Sequence, residues 1–230
     1  MRLAALISGG KDGMLALHHA VWEGHEVAYL VSMLPGREDS WMFHVPNVHL
    51  TPLIARALGI PLVSRRTSGL KEEELEDLRA VLADLDIDGV VSGAVRSRYQ
   101  KERIDRICHQ LGLVSYAPLW GRDELSILRE LLDEGFEVIF VGVFAEGLDG
   151  SWLGRRLDEK ALEDLLALRE QYGISLVGEG GEYETLVLDA PLYKSRLELV
   201  NYEACWDGYT GVLKVLSARL VPKSGPRRGS

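Results

Sequence analysis

Leu3-Ala4-Ala5-Leu6-Ile7-Ser8-Gly9-Gly10-Lys11-Asp12-Gly13, followed by the helix-like run Met14 to Glu23, is the stretch whose reading decides the fold. Five apolar residues in a row read as a strand buried on both faces. Two adjacent glycines turn the chain, and a helix follows. Strand, glycine turn and helix together present backbone N–H groups and the positive end of a helix dipole to an anion. The glycines carry no Cβ and let the main chain approach closely, while Lys11 adds a point charge. The stretch reads as a phosphate-gripping loop. An ordinary βα turn is the alternative, since Gly and Asp are common in turns. The spacing fits neither the P-loop nor the Gly-x-Gly-x-x-Gly dinucleotide pattern.

Outward from this loop, the chain alternates strand-like and helix-like segments to about Leu119. Glu26–Met33 reads as a second buried strand, Leu50–Leu58 as a helix stopped by Gly59, and Ile60–Ser64 as a third strand. Lys71–Leu85 is an amphipathic helix with Leu75, Leu78, Val81, Leu82 and Leu85 on one face. Gly89–Ser92 is a fourth strand, Tyr99–Leu111 a helix with Gly112 as its C-cap, and Val114–Ala117 a fifth strand. This is an α/β pattern: a Rossmann-like five-stranded parallel sheet, covered on both faces, with right-handed crossovers. Ligands in such sheets sit beyond the carboxyl ends of the strands. The loops at Ser8, Leu34 and Gly93 all leave such ends and are expected to line one crevice. The stretch Leu34 to Asn47 is too long for a simple turn, which marks it as a functional loop.

After Trp120-Gly121-Arg122 the texture changes. A helix over Asp123–Glu134, a strand over Glu137–Val143 and a helix over Asp158–Tyr172 alternate with two glycine-rich loops. The second of these is Gly178 to Thr185, GEGGEYET. Short runs at Leu186–Leu188, Leu197–Tyr202 and Val212–Leu220 suggest antiparallel strands. The expected organisation is a domain over 1–120, a smaller C-terminal α+β domain over 121–221, and a basic, disordered tail over 222–230.

The chain has 230 residues, 47% apolar and 27% charged, with a formal net charge of −9. The composition is that of a globular protein, and the acidic balance weighs against a nucleic-acid substrate. Arg65-Arg66 and the series Arg96, Arg98, Lys101, Arg103, Arg106 are the places where a basic patch would override it. No run approaches the roughly 18 apolar residues of a membrane span, and the apolar run after Arg2 is too short for a signal peptide. The expected location is the cytosol. Cys108 and Cys205 are too few and too far apart for a metal or disulfide framework, and Cys108 shares an apolar helical face with Ile104, Ile107 and Leu111. The histidines lack metal-ligand spacing. No metal site is read directly from the residues.

The order Ser-Gly-Gly-Lys-Asp resembles the S-G-G-x-D-S/T loop of the PP-loop ATP pyrophosphatases, which cleave ATP between its α and β phosphates. That likeness covers residues 1–120 and implies a PP-loop/HUP-type fold, with ATP bound by Ser8, Gly9, Gly10, Lys11, Asp12, Gly13 and Gly93. Further pieces narrow it. Glu179-Gly180-Gly181-Glu182-Tyr183-Glu184-Thr185 with Leu188-Asp189-Ala190-Pro191-Leu192, Tyr99-Gln100 with Arg103, Trp120-Gly121-Arg122-Asp123, and Ser151-Trp152-Leu153-Gly154-Arg155 resemble the diphthine–ammonia ligase branch. Together they span the chain to about residue 195. The resemblance implies the last step of diphthamide synthesis: amidation of diphthine on translation elongation factor 2 with ammonium, through an acyl-adenylate, releasing AMP and pyrophosphate. ATP and Mg²⁺ are the implied cofactors. One position departs from the pattern: Gly13 stands where the loop usually closes with Ser or Thr, and a hydroxyl for phosphate or for helix capping is absent.

Within that reading Lys11, with the glycine amides, offsets charge on the leaving pyrophosphate. Asp12 either holds the metal through water or caps the helix start. Glu179, Glu182 and Glu184 are candidates for positioning or deprotonating ammonium, against the alternative of a solvated acidic loop. Glu182 and Glu184, with Lys11 and Asp12, form the catalytic set. His44, Tyr99, Gln100, Arg103, Trp120, Trp152, Arg155, Glu179, Gly180, Gly181, Glu182 and Thr185 form the substrate-binding set. Diphthine carries a quaternary ammonium group, and Trp41, Phe43, Trp120, Trp152 and Tyr183 are read as loop aromatics able to form a cage, or else as plain packing. Neither cysteine lies in a recognisable nucleophile context, so free ammonium is the expected nitrogen donor. The rival readings are a PP-loop enzyme that adenylates a base of RNA and a nucleotide-binding sensor without turnover.

Overall fold

β1 (Arg2–Leu6) is the centre of the molecule, with Leu3, Ala4 and Ala5 fully buried. The structure is a computed structural model and describes residues 1–35, 46–67 and 71–223. β2 (Glu26–Pro35) and β4 (Gly89–Val91) flank β1 in parallel, β3 (Leu62–Thr67) pairs with β2, and β5 (Val114–Tyr116) pairs with β4. The order β3-β2-β1-β4-β5 reverses direction between β1 and β4, which opens a crevice at their carboxyl ends. The five-stranded parallel sheet expected from the sequence is present.

Helices cover both faces, as an all-parallel sheet requires. α3 (Lys71–Ala83) and α4 (Arg98–Leu111) place Leu75, Leu78, Val81, Ile104, Ile107 and Cys108 against Ala4, Val31 and Val90. The Ser97 side chain accepts from the N–H of Gln100 to start α4, and Gly112, with φ 69°, ends it in the left-handed conformation. On the other face lie α1 (Lys11–Trp22) and α2 (Thr51–Leu58), the latter preceded by a 3-10 turn at Val48–Leu50.

The C-terminal half contributes a second, antiparallel sheet. Its strands β6 (Glu137–Val143), β7 (Tyr183–Asp189), β8 (Arg196–Trp206) and β9 (Gly211–Val221) lie in the order β7-β6-β9-β8. α5 (Glu124–Asp133) and α6 (Glu159–Tyr172) begin on the capping carboxylates of Asp123 and Asp158. One apolar cluster runs from Leu3, Met14 and Ile54 through Ile127 and Phe140 to Leu186, so the two halves share a core.

Several boundaries differ from the sequence reading. β2 runs through Leu34 to Pro35, so Leu34 is strand rather than the start of the expected loop, whose residues 36–45 lie outside the described residues, and β3 is shifted from Ile60–Ser64 to Leu62–Thr67. The loop expected over Gly178–Thr185 ends at Glu182, because Tyr183 to Thr185 pair with β6 through Val143↔Tyr183 and Gly142↔Glu184. β8 and β9 run longer than the apolar alternation suggests; they pair along their whole length, Arg196↔Val221 to Trp206↔Gly211, although Val200, Tyr202 and Leu216 are exposed. Leu197, Leu213 and Val215 are buried, and the pairing continues beyond them into exposed sequence. Of the tail expected to be disordered over 222–230, Lys223 is held, its Nζ donating to the Ala190 carbonyl at 2.8 Å and pairing with Asp189 at 3.1 Å, and residues 224–230 lie outside the described residues.

His18 of α1 joins the halves. Its ring is fully buried, Nδ1 donates to the Met14 carbonyl at 2.8 Å, and Nε2 accepts from the N–H of Leu192 at 3.1 Å. Burial pushes its pKa down to about 4, partly opposed by the Met14 bond. The folded imidazole is therefore neutral at pH values where the unfolded one, near 6.5, takes up a proton. Its contribution is complete above about pH 6.5 and is lost as pH falls towards 4, reaching about 2 kcal/mol by pH 5. Denaturant titrations should show this loss in the parent chain and a smaller one in His18→Gln.

Candidate active site

The crevice beyond β1 and β4 is a cleft of about 430 Å³, closed on its far side by the segment Val177–Thr185. Ser8, Gly10, Lys11, Asp12 and Gly13 form one wall and Gly93 the floor; Tyr99 and Gln100 stand at one side. Gly180, Gly181, Glu184 and Thr185 complete it from the C-terminal half. Segments nearly 180 residues apart in sequence therefore meet at one site.

The glycine loop is held by β7. Gly9 takes φ +100°, which L side chains rarely adopt, and its carbonyl accepts from the N–H of Val187 at 2.9 Å. Gly10 is the N-cap of α1 and has no side chain to offer, so Thr185 supplies one: its Oγ1 accepts from the N–H of Lys11 at 3.2 Å. The N–H groups of Asp12 and Gly13, still in the first turn, have no intrahelical acceptor and remain suited to an anion.

Lys11 is 2% exposed. Its Nζ donates to the Val177 carbonyl and, at 2.8 Å, to Asp12 Oδ2, and lies 5.1 Å from the centroid of the Tyr183 ring. Lys11 thus ties the glycine loop to the opposing strap from behind the cleft wall. Asp12 is not a helix cap; it lies inside the first turn, paired with Lys11, while its buried Oδ1 has no hydrogen-bond partner. Burial raises the Asp12 pKa, with Lys11 opposing.

Gly93 has a steric reason. A Cβ there would lie 2.4 Å from Gly13 N and 2.7 Å from Gly13 Cα, so the loop after β4 and α1 touch backbone to backbone. A Cβ at Gly13 would meet the Leu6 carbonyl at 3.2 Å, which makes Gly13 part of the same close contact.

The structure separates the three glutamates. Glu179 Oε1 accepts from the N–H of Ser97 at 2.6 Å and of Val95 at 3.4 Å, which latches the strap to the loop after β4. Glu182 accepts from Ser175 N at 2.9 Å and Gly180 N at 2.8 Å, which staples the strap to itself. Glu182 opens on a neighbouring hollow with Arg96 and Glu124 rather than on the main cleft. Glu184 alone of the three faces the cleft without a hydrogen bond among the described residues, and burial raises its pKa to about 7 against the pull of Lys11.

Other sequence candidates are not gathered in. Trp152 is 5% exposed, edge-on to Phe140 at 4.9 Å, with the Arg155 guanidinium 4.3 Å from its centroid. Arg155 pairs with Asp164 at 2.6 Å. Tyr183 is buried and its hydroxyl donates to the Leu176 carbonyl. Trp152 and Tyr183 are therefore core residues and not open cage walls, because large aromatics bury most area where strands meet. Trp120 is exposed beneath Lys101 Nζ, 5.5 Å from its centroid. Arg103 does not line the cleft but stacks 3.4 Å over the Tyr99 ring, which does. His44, Trp41 and Phe43 lie outside the described residues. Among the described residues no group of His, Cys, Asp and Glu has the arrangement of a metal site, and no helix is long and apolar enough to cross a membrane.

A glycine loop at the switch point of a five-stranded parallel sheet, faced by an acidic strap from an antiparallel half, defines an α/β protein with its cleft where such sheets bind ligands. The chain belongs to the diphthamide synthase family: residues 1–115 match the family's N-terminal domain and residues 123–221 its C-terminal domain. It is 37% identical to a diphthine–ammonia ligase of Rattus norvegicus over 89% of this chain and 85% of the relative. The protein of the same name from Bos taurus is 33% identical over 98% and 95%. That from Homo sapiens is 34% identical over 97% and 94%. A solved structure described as a predicted subunit of tRNA methyltransferase from Methanocaldococcus jannaschii covers 83% of the chain and aligns over 98% of its own length, with 18% identity and a TM-score of 0.46, too distant to bear on function.

Proposed function

We propose that this protein is an ATP-dependent ligase that amidates diphthine on translation elongation factor 2 with free ammonium, the last step of diphthamide synthesis, in the cytoplasm. The observation that carries the reading is that Glu184, a cleft carboxyl with a pKa of about 7, faces the Ser8–Gly13 loop in one cavity. Family membership and full-length relatives named diphthine–ammonia ligase support it.

A carboxylate oxygen is a poor leaving group, so the diphthine carboxyl needs activation before ammonia can displace it. Attack of that carboxylate on the α-phosphate of ATP gives an acyl-adenylate and pyrophosphate; ammonia then displaces AMP. The loop amides and the α1 N-terminus receive the phosphate charge. Lys11 adds its charge from behind the wall. Asp12 Oδ1 and Ser92 Oγ, both buried at the cleft without a partner, fit a group that brings its own polar contacts, and Asp12 would hold Mg²⁺ accompanying ATP. That ion would supply charge neutralisation on the phosphates. Glu184 takes the proton from ammonium, since a base with a pKa near the working pH is both ionised and basic enough. Glu179 and Glu182 shape the strap and do not act on substrate. The cleft volume suits a nucleotide-sized ligand.

Pyrophosphate release from ATP is expected only when ammonium and diphthine-bearing elongation factor 2 are both present. Release without the factor, or with RNA in its place, or no turnover despite ATP binding, would each overturn the ligase reading.

A further inference from the structure

The first turn of α1 carries no hydroxyl of its own, because Gly13 stands where such loops usually close with Ser or Thr. A hydroxyl reaches that turn from the other half of the molecule. Thr185 of β7 is 5% exposed and lines the cleft. Its Oγ1 lies 3.2 Å from the Lys11 nitrogen and 3.7 Å from the place of the missing Gly10 Cβ. The Lys11 N–H can only donate, so Oγ1 is the acceptor in that bond and the hydroxyl proton remains to be given elsewhere. Among the described residues Oγ1 has no other hydrogen-bond partner.

Alternation along β7 would send Glu184 and Thr185 to opposite faces of the sheet. The pairing with β6 slips here, Gly142 standing opposite Glu184 and Phe140 opposite Thr185. Such irregularities re-aim side chains, and both residues line the cleft. Branching at Cβ restricts the Thr185 side chain, so its hydroxyl is held ready at little entropic cost. Ser92, beside Gly93, is 3% exposed and brings to the same cleft an Oγ without a partner. The cleft therefore holds more hydrogen-bonding capacity than the protein itself uses. An anion with several acceptor oxygens suits the Thr185 proton together with the N–H groups of Asp12 and Gly13.

We propose that the Thr185 hydroxyl donates to a phosphate oxygen of ATP, so that the C-terminal half supplies the hydroxyl that the loop lacks at Gly13. The inference rests on the ATP-dependent reading and moves Thr185 from recognition of the protein substrate, where the sequence placed it, to the nucleotide. One strand then carries both a phosphate contact and, at Glu184, the carboxyl that takes the proton from ammonium. The nucleotide site is complete only when both halves are in place.

The test compares Thr185→Val, which keeps the shape and removes the hydroxyl, with Thr185→Ser, which keeps the hydroxyl. Binding of ATP with Mg²⁺ and of adenosine is measured by titration calorimetry in the absence of elongation factor 2. Thr185→Val should bind ATP about tenfold more weakly than the parent, since the lost bond is made to a charged group. Adenosine should bind all three proteins alike, and Thr185→Ser should bind ATP like the parent. A capping role alone gives the opposite sign: losing Oγ1 frees the Lys11 N–H for the anion, and ATP affinity stays or rises. Unchanged or tighter ATP binding by Thr185→Val, or a parallel loss of adenosine binding, overturns the inference. If Thr185→Val does not fold, Thr185→Ala is read by the same outcomes. A parent that binds ATP but shows no diphthine-dependent pyrophosphate release removes the ligase reading alone. An active parent whose valine variant keeps its ATP affinity removes this inference alone.

Discussion

Glu184→Gln is expected to lower kcat by about 10²- to 10³-fold and at the same time to stabilise the folded protein. The two effects have one cause. Burial beside the glycine loop lifts the Glu184 pKa from 4.5 to about 7. In the unfolded chain the carboxyl loses its proton near 4.5, so between 4.5 and about 7 the folded state binds more protons. Stability attributable to this group therefore falls as pH rises through that window, and above about pH 7 the penalty is on the order of 3 kcal/mol. Glutamine keeps the size of the side chain and removes the ionisation. Its variant should unfold at higher denaturant concentration than the parent at pH 8, with the difference vanishing near pH 4. Activity, measured at fixed ammonium concentration, should rise through about pH 7 in the parent and lose that inflection in the variant. A variant that keeps the inflection would assign the proton transfer to another group. Stability exchanged for activity in this way is common at catalytic positions.

Lys11→Ala should remove activity and destabilise the protein by about 3 kcal/mol, which equilibrium denaturation would measure. The Nζ group satisfies the Val177 carbonyl and half of the Asp12 carboxylate in a site where the Lys11 side chain is 3% exposed. Removing it leaves a partly buried carboxylate without its cation and a carbonyl without its donor. The strap loses one of its ties to the glycine loop; the Thr185 bond to Lys11 N–H and the Val187 bond to the Gly9 carbonyl remain there, and the Glu179 bonds still hold the strap to the loop after β4. Loss of turnover in this variant is consequently not a measure of a phosphate contact alone. Lys11→Arg, which keeps the charge but must fit a larger head into a filled space, should recover part of the stability and little of the rate. If Lys11→Ala melts like the parent, the tie between the halves is not what Lys11 provides.

The parallel half was readable because its signals are local. Apolar runs without alternation mark strands covered on both sides, and the Gly59 and Gly112 stops mark helix ends whose left-handed φ values the structure shows. The glycine loop was legible for the same reason: its geometry needs residues without Cβ at adjacent positions. Membership of the diphthine–ammonia ligase branch was legible from separated motifs, since agreement at several distant places does not depend on knowing how they touch. The roles inside those motifs were not legible. Three glutamates within six residues look alike in sequence, yet one bonds the loop after β4, one bonds its own strap, and one faces the cleft. Trp152 looked open in a glycine-rich loop because burial by Phe140 comes from a strand more than ten residues away.

The sequence alone determined the order of strands and helices, the position of the anion loop at the end of the first strand, and the family of the chain. These rest on residue type and spacing along the backbone. Only the tertiary structure decided what each charged group does. The pKa of Glu184, the commitment of Lys11 to the strap and the capping of α1 by Thr185 all arise from contacts between segments far apart in sequence. Burial and charge proximity are properties of three-dimensional neighbours, and no local pattern encodes them.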